Sequence, residues 1–95
     1  MLLRNKGYIK SQKFFKKEEI AMWHNNKLVL YVYAHVNTRN AYAIIEGLSG
    51  WKRIAPVSSD GVTNVLDILK VAKANGRRVN VYIDSDDQIY AAVLL

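Results

Sequence analysis

Residues 60–95, DGVTNVLDILKVAKANGRRVNVYIDSDDQIYAAVLL, decide the fold, because the spacing of apolar residues changes period inside them. Val62, Val65, Leu66, Leu69 and Ala72 recur at helical spacing, and Ile68 and Val71 widen the stripe as a helix touching two surfaces requires. Asp60 can cap the start, Lys70 and Lys73 suit the C-terminal end of the dipole, and Gly76 suits the left-handed position beyond it. From Val79 the period is two. Val79, Val81 and Ile83 alternate with Asn80, Tyr82 and Asp84; Ser85-Asp86-Asp87 turns; and Ile89, Ala91, Val93 and Leu95 alternate with Tyr90, Ala92 and Leu94. The stretch therefore predicts a helix followed by a hairpin.

Working outward, Lys27 to Val36 alternates over its whole length. Leu28, Leu30, Val32, Ala34 and Val36 are expected on the core face, and Val29, Tyr31, Tyr33 and His35 on the other. Asn25-Asn26 reads as a two-residue turn, since asparagine tolerates positive φ, so a hairpin with a first strand from about Glu18 is expected. After the polar turn Asn37-Thr38-Arg39-Asn40, Ala41 to Glu46 is β-like, and Gly47-Leu48-Ser49-Gly50 turns into Trp51 to Ala55, which Pro56 ends. The order is β-β-β(-β)-α-β-β, mainly β with one α-helix, the order of a small OB-fold-like barrel. A split α+β sandwich is the next choice.

The chain has 95 residues, no cysteine and a net charge of +6, and half of it is apolar, the balance of one globular domain stabilised without disulfides. The charge is not evenly spread. Residues 1–17 hold Arg4, Lys6, Lys10, Lys13, Lys16 and Lys17 and no acid, whereas bases and acids balance over residues 18–95. A basic leader arm, 1–17, thus precedes a neutral single domain, 18–95. Such an arm attracts phosphates, and it also serves simply to keep a neutral body in solution. Arg4 follows Met1-Leu2-Leu3 with no apolar stretch of signal-peptide length, and the longest apolar runs fall far below the about 18 residues that span a bilayer. The expectation is no membrane span and a cytoplasmic protein, or a secreted one if a signal peptide was removed.

Catalytic constellations are poor. No cysteine nucleophile exists, His24 and His35 have no spacing that brings them together, and Glu18 and Glu19 point to opposite faces of a strand. Asp84-Ser85-Asp86-Asp87 lacks the glycine and glutamate of a calcium loop, and Gly47-Leu48-Ser49-Gly50 joins strands where a nucleotide-clamping loop would join helices. No enzyme, metal or cofactor is expected. The tyrosines carry more information. Tyr31, Tyr33, Tyr82 and Tyr90 fall opposite the expected core faces, and Trp51-Lys52-Arg53 adds an indole and two cations. Such rings stack on sugars or bases, and they equally suit a subunit interface. The candidate ligand-binding residues are Tyr31, Tyr33, His35, Trp51, Lys52 and Arg53.

The helix ending Ala72-Lys73-Ala74-Asn75-Gly76, then Arg77-Arg78-Val79-Asn80-Val81-Tyr82-Ile83-Asp84, a polar turn and Ile89 to Leu95 resemble the C-terminal half of the OB-fold B subunits of AB5-type toxins and their uncharacterised relatives. The expected hairpin around Asn25-Asn26 and Trp51 before the helix are also in keeping. The resemblance implies a non-enzymatic homo-oligomer, a pentamer with helices around a pore, that binds glycans at its surface. The sequence departs from those subunits in lacking their cysteine pair and signal peptide and in carrying the basic arm, and no glycan-binding motif transfers. The expectation is a toxin B-subunit-like, oligomeric OB-fold module that binds a glycan or similar surface ligand. The alternative is a single-stranded nucleic-acid module using Arg4, Lys6, Lys10, Lys13, Lys16 and Lys17, with Tyr31 and Tyr33 as stacking platforms.

Overall fold

A computed structural model describes residues 20–36 and 38–95. Within them the chain runs β1 (Met22–Ala34), β2 (Ala41–Ile45), β3 (Lys52–Arg53), α1 (Ser59–Asn75), β4 (Arg78–Ile83) and β5 (Ile89–Leu94). The fold is mainly β with one helix, and the expected order holds in its shorter form, three strands before the helix and two after. The arm residues, Glu18, Glu19 and the boundary between residues 17 and 18 lie outside the described residues.

The five strands form an antiparallel sheet in the order β3-β2-β1-β4-β5. Strand β1 is the hinge of this arrangement, because its first part pairs with β4 (Met22↔Ile83 to Leu28↔Arg78) and its second with β2 (Val29↔Ile45 to Ala34↔Ala41). The two outer strands meet at one parallel bridge, Ile54↔Ile89, beside a hydrogen bond from the Ala55 N–H to the Ile89 carbonyl at 2.9 Å.

The expected hairpin at Asn25-Asn26 does not form. Asn26 does adopt the left-handed conformation, with φ 60°, but as one extra residue in a continuous strand: three steps along β1 from His24 to Lys27 match two along β4 from Val81 to Val79. Its N–H donates to Asn80 Oδ1 at 2.9 Å, and its carbonyl accepts from the Arg78 guanidinium at 3.0 Å. A turn and a bulge need the same backbone angle, and it is the distant strand β4 that selects the bulge.

Two further bulges correct the expected faces. Leu30 is an extra residue against β2, so Val29 points into the core at 6% exposure and Leu30 is left 40% exposed, the reverse of strict alternation. Beyond that bulge the expected faces return: Val32 packs on the core and Tyr31 and Tyr33 are outward. Tyr90 is likewise extra against β4, so Ile89, Ala92 and Leu94 face inward while Val93 and Leu95 are exposed. Each bulge also bends its strand; the sheet is nonetheless not closed into the expected barrel, its two edges touching only at the Ile54↔Ile89 bridge.

Helix α1 is capped by Ser58, not Asp60: the Ser58 hydroxyl accepts from the Gly61 N–H at 3.0 Å, and Asp60 lies in the first turn, where its charge complements the dipole. Gly76 ends the helix in the left-handed conformation as expected, with φ 63°. Val62, Leu69 and Ala72 are buried against the sheet; Val65, Leu66 and Ile68 pack around them; Val71 is exposed. With Ile45, Ile54, Val79, Val81 and Ile89 these side chains form one core, each large member contributing about 1.5–3 kcal/mol of hydrophobic stabilisation. The expected second apolar helix face is thus narrower than the sequence suggests, since Ile68 belongs to the core.

Candidate functional site

Antiparallel register places side chains of facing residues on the same side of a sheet. On β2, Ala41, Ala43 and Ile45 are buried, so Tyr42 and Ile44 project from the opposite, outer face. Tyr33 faces Tyr42 across β1 and β2, and Tyr42 faces Arg53 across β2 and β3, which makes one row; Tyr31 faces Ile44 in the next. Trp51, one residue before β3, completes a ring cluster. Its centroid lies 6.3 Å from that of Tyr31 and 6.4 Å from that of Tyr33, and Tyr33 lies 6.1 Å from Tyr42. All three pairs are tilted or edge-on, the geometry that aromatic quadrupoles favour. Tyr31, Tyr33 and Trp51 remain 59%, 47% and 51% exposed.

Two cations border the cluster. Lys73, in the last turn of α1, has its Nζ 6.0 Å from the Tyr31 ring centroid, and Arg53 ends the row that begins with Tyr33. The Arg53 guanidinium donates through Nη2 to Asn40 Oδ1, while its Nε–H is buried and has no partner among the described residues. Asn40 is itself fixed by the loop: its N–H donates to Thr38 Oγ1 at 3.0 Å, and its carbonyl accepts from the His35 N–H at 2.9 Å. His35 is exposed one residue beyond β1, at the mouth of this loop.

Of the six candidate residues, Tyr31, Tyr33, Trp51 and Arg53 therefore share one outer face, and His35 lies at its border. Lys52 does not belong to it. Facing buried Ala43, it points inward, is 7% exposed, and its ammonium donates to both carboxylate oxygens of Asp87 at 2.8 and 2.9 Å. Neighbours on a strand point to opposite faces, so Lys52 and Arg53 cannot both serve the same ligand. Tyr42 and Lys73 are the members that sequence reading missed. The signal for Tyr42 was present in Ala41-Tyr42-Ala43-Ile44-Ile45, where small and branched inward residues leave Tyr42 outward; Lys73 is placed only by the docking of the helix.

Tyr82 and Tyr90 also lie outward, but elsewhere. Tyr82 stacks edge-on with Trp23 at 5.4 Å, on the part of the sheet where β1 pairs with β4, and Tyr90 is exposed on β5. Near the crossing of β1, Glu46 accepts from the Leu28 N–H and from Arg78, and these bonds, the Leu28 one foremost, hold its carboxyl below the ordinary glutamate value. Among the described residues no three His, Cys, Asp or Glu side chains converge on a common point, and no helix is long and apolar enough to cross a membrane. No protein-family model matches the chain, and no curated protein matches it.

Proposed function

We propose that the protein is a non-enzymatic, OB-like binding module that self-associates and recognises a glycan or similar surface ligand through Tyr31, Tyr33, Tyr42 and Trp51. The observation that carries this reading is the ring cluster itself. Four aromatic side chains linked ring to ring, three of them about half exposed, form an apolar platform of the kind on which the faces of sugar rings stack. The OB-like reading is supported by β1 pairing with both β2 and β4 and by the Ile54↔Ile89 bridge between the sheet edges. In that architecture the face of the second and third strands and the loop between the first and second are where oligosaccharides and oligonucleotides bind, which here means Tyr42, Trp51 and Arg53 with His35 at the rim. Association is supported by exposed Tyr90, Val93 and Leu95 along the outer strand β5.

Lys73 over Tyr31 and Arg53 beside Tyr42 favour a second reading, in which the rings stack on bases of a single strand and the two cations meet phosphates. Calorimetric titration of the full chain with neutral and acidic oligosaccharides, and with oligothymidylate at two salt concentrations, separates the two. The glycan reading expects saccharide heats that persist at high salt and vanish in Trp51→Ala. The nucleic-acid reading expects oligonucleotide binding that weakens steeply with salt, by a slope of about −0.7 per phosphate contacted. No heat with either class contradicts both, and a monodisperse monomer in light scattering at micromolar concentration contradicts self-association.

A further inference from the structure

The bulge at Asn26 has an effect on the inner side of the sheet. In a regular strand His24 and Lys27 would point to opposite faces; with one extra residue between them, both face buried partners, His24 opposite Val81 and Lys27 opposite Val79. Both side chains consequently line the same inner cleft as Lys52 and Asp87, a space of about 610 Å³ with Met22 and Ile83 as apolar wall and residues 47–49 as rim. That volume is in the range of small-molecule sites. The lining holds two ammonium groups and one carboxylate, and Asp87 is already bonded through both oxygens to Lys52, while Glu46 acts on Lys27 from outside the cleft. Lys27 is half-buried and has no ion pair among the described residues; the nearby carboxylate of Glu46 is bonded to the Leu28 N–H and to Arg78. Gly47 makes room for it, since a Cβ there would lie 3.1 Å from Lys27 Nζ.

Beside its apolar wall the cleft therefore presents a cation that no carboxylate of its own lining engages, and an anionic group placed there would gain a charge-assisted hydrogen bond. We infer that this cleft, separate from the aromatic outer face, is a binding site for a small organic molecule carrying a phosphate or sulfate ester group. Lys27 is its principal cation, His24 its second donor, and the Lys52–Asp87 pair the fixed back wall, while Met22 and Ile83 take the organic body.

The test is an amide-resolved NMR titration of the full chain with phenyl phosphate and phenyl sulfate, with phenol and inorganic phosphate as the neutral and bodiless controls. The inference expects saturable shifts at residues 24, 27, 47–49, 52 and 87 with either ester, weaker ones with inorganic phosphate and none with phenol. Lys27→Gln should weaken ester binding by about tenfold or more, the usual effect of removing one charge-assisted hydrogen bond. Lys70→Gln, on the exposed face of α1 and equal in charge change, should leave it unaltered. Retained dispersion of the Lys27→Gln spectrum shows that the variant is folded; if it is not, His24→Gln serves in its place with a smaller loss. Shifts confined to residues 1–17, equal weakening in both lysine variants, or no shifts in the cleft would each overturn the site.

Discussion

Lys52 and Arg53 are adjacent basic residues on the same two-residue strand, and their surroundings have little in common. Lys52 faces the interior, bonded at both Asp87 oxygens in a cleft that also holds His24 and Lys27; Arg53 faces outward, in a row with Tyr42 and Tyr33 beside Trp51. The inner face of β1, β2 and β3 is where the chain holds itself together, and the outer face holds aromatic surface that no part of the described chain covers. A two-residue strand thus sends one cation to the packed side of the sheet and the next to its open side. Charge in the sequence is a poor guide to a residue's surroundings here, because the face a cation occupies determines whether it meets a carboxylate of the same chain or stands beside exposed rings.

That comparison can be broken most readily at the core. Ile45→Ala, fully buried on the inner face of β2, should destabilise by about 2–5 kcal/mol in chemical denaturation, whereas Ile44→Ala on the outer face of the same strand should cost well under half as much. Equal losses would mean that the two faces are not distinct. The basic pair gives the next largest contrast. Lys52→Met leaves Asp87 without its partner near the interior and should cost about 1–3 kcal/mol, less than a fully buried pair because Asp87 is half exposed and can rehydrate. Arg53→Met should cost less than about 1 kcal/mol, since it also removes a buried Nε–H that has no partner among the described residues.

Glu46 sharpens the picture by pH. Its carboxyl is held below the ordinary value by the Leu28 N–H and then by Arg78, so the unfolded chain takes up this proton at higher pH than the folded one. The stabilisation is complete above the ordinary glutamate value and is lost as pH falls through the lowered one. Glu46→Gln should therefore flatten the acid limb of the stability profile and leave the neutral and alkaline limbs parallel to the parent. An unchanged acid limb would contradict the role given to these bonds. Trp51→Ala should act on binding more than on stability, changing the latter by no more than about 1.5 kcal/mol, the scale of exposed aromatic pairs, while abolishing the saccharide heats that the proposed function expects.

Much of the architecture was legible from local pattern. The helical spacing from Val62 to Ala72, the Gly76 terminus and the outward Tyr31, Tyr33, Tyr82 and Tyr90 all follow from periods of 3.6 and 2 that burial enforces. The misread strand faces share one physical cause. A bulge is chosen by the strand that pairs across it, and nothing in the sequence near Leu30 or Tyr90 announces that an extra residue will be squeezed there. Asn25-Asn26 announced positive φ but not which partner would use it. At the candidate site, Lys52 was misplaced because its strand is only two residues long, too short for alternation to fix a face, and Ser58 outcompeted Asp60 as cap because the helix begins three residues before its apolar stripe.

The most direct measurement uses a Trp23→Phe variant, which leaves Trp51 as the only indole, and follows its fluorescence as oligosaccharides of the calorimetric panel are added to the full chain. A recognition face built on Tyr31, Tyr33, Tyr42 and Trp51 predicts a saturable change in emission that Tyr33→Ala abolishes and Lys52→Met, tested where it is folded, leaves intact. Saccharide binding measured by calorimetry with no change at Trp51, or one that survives Tyr33→Ala, would contradict it.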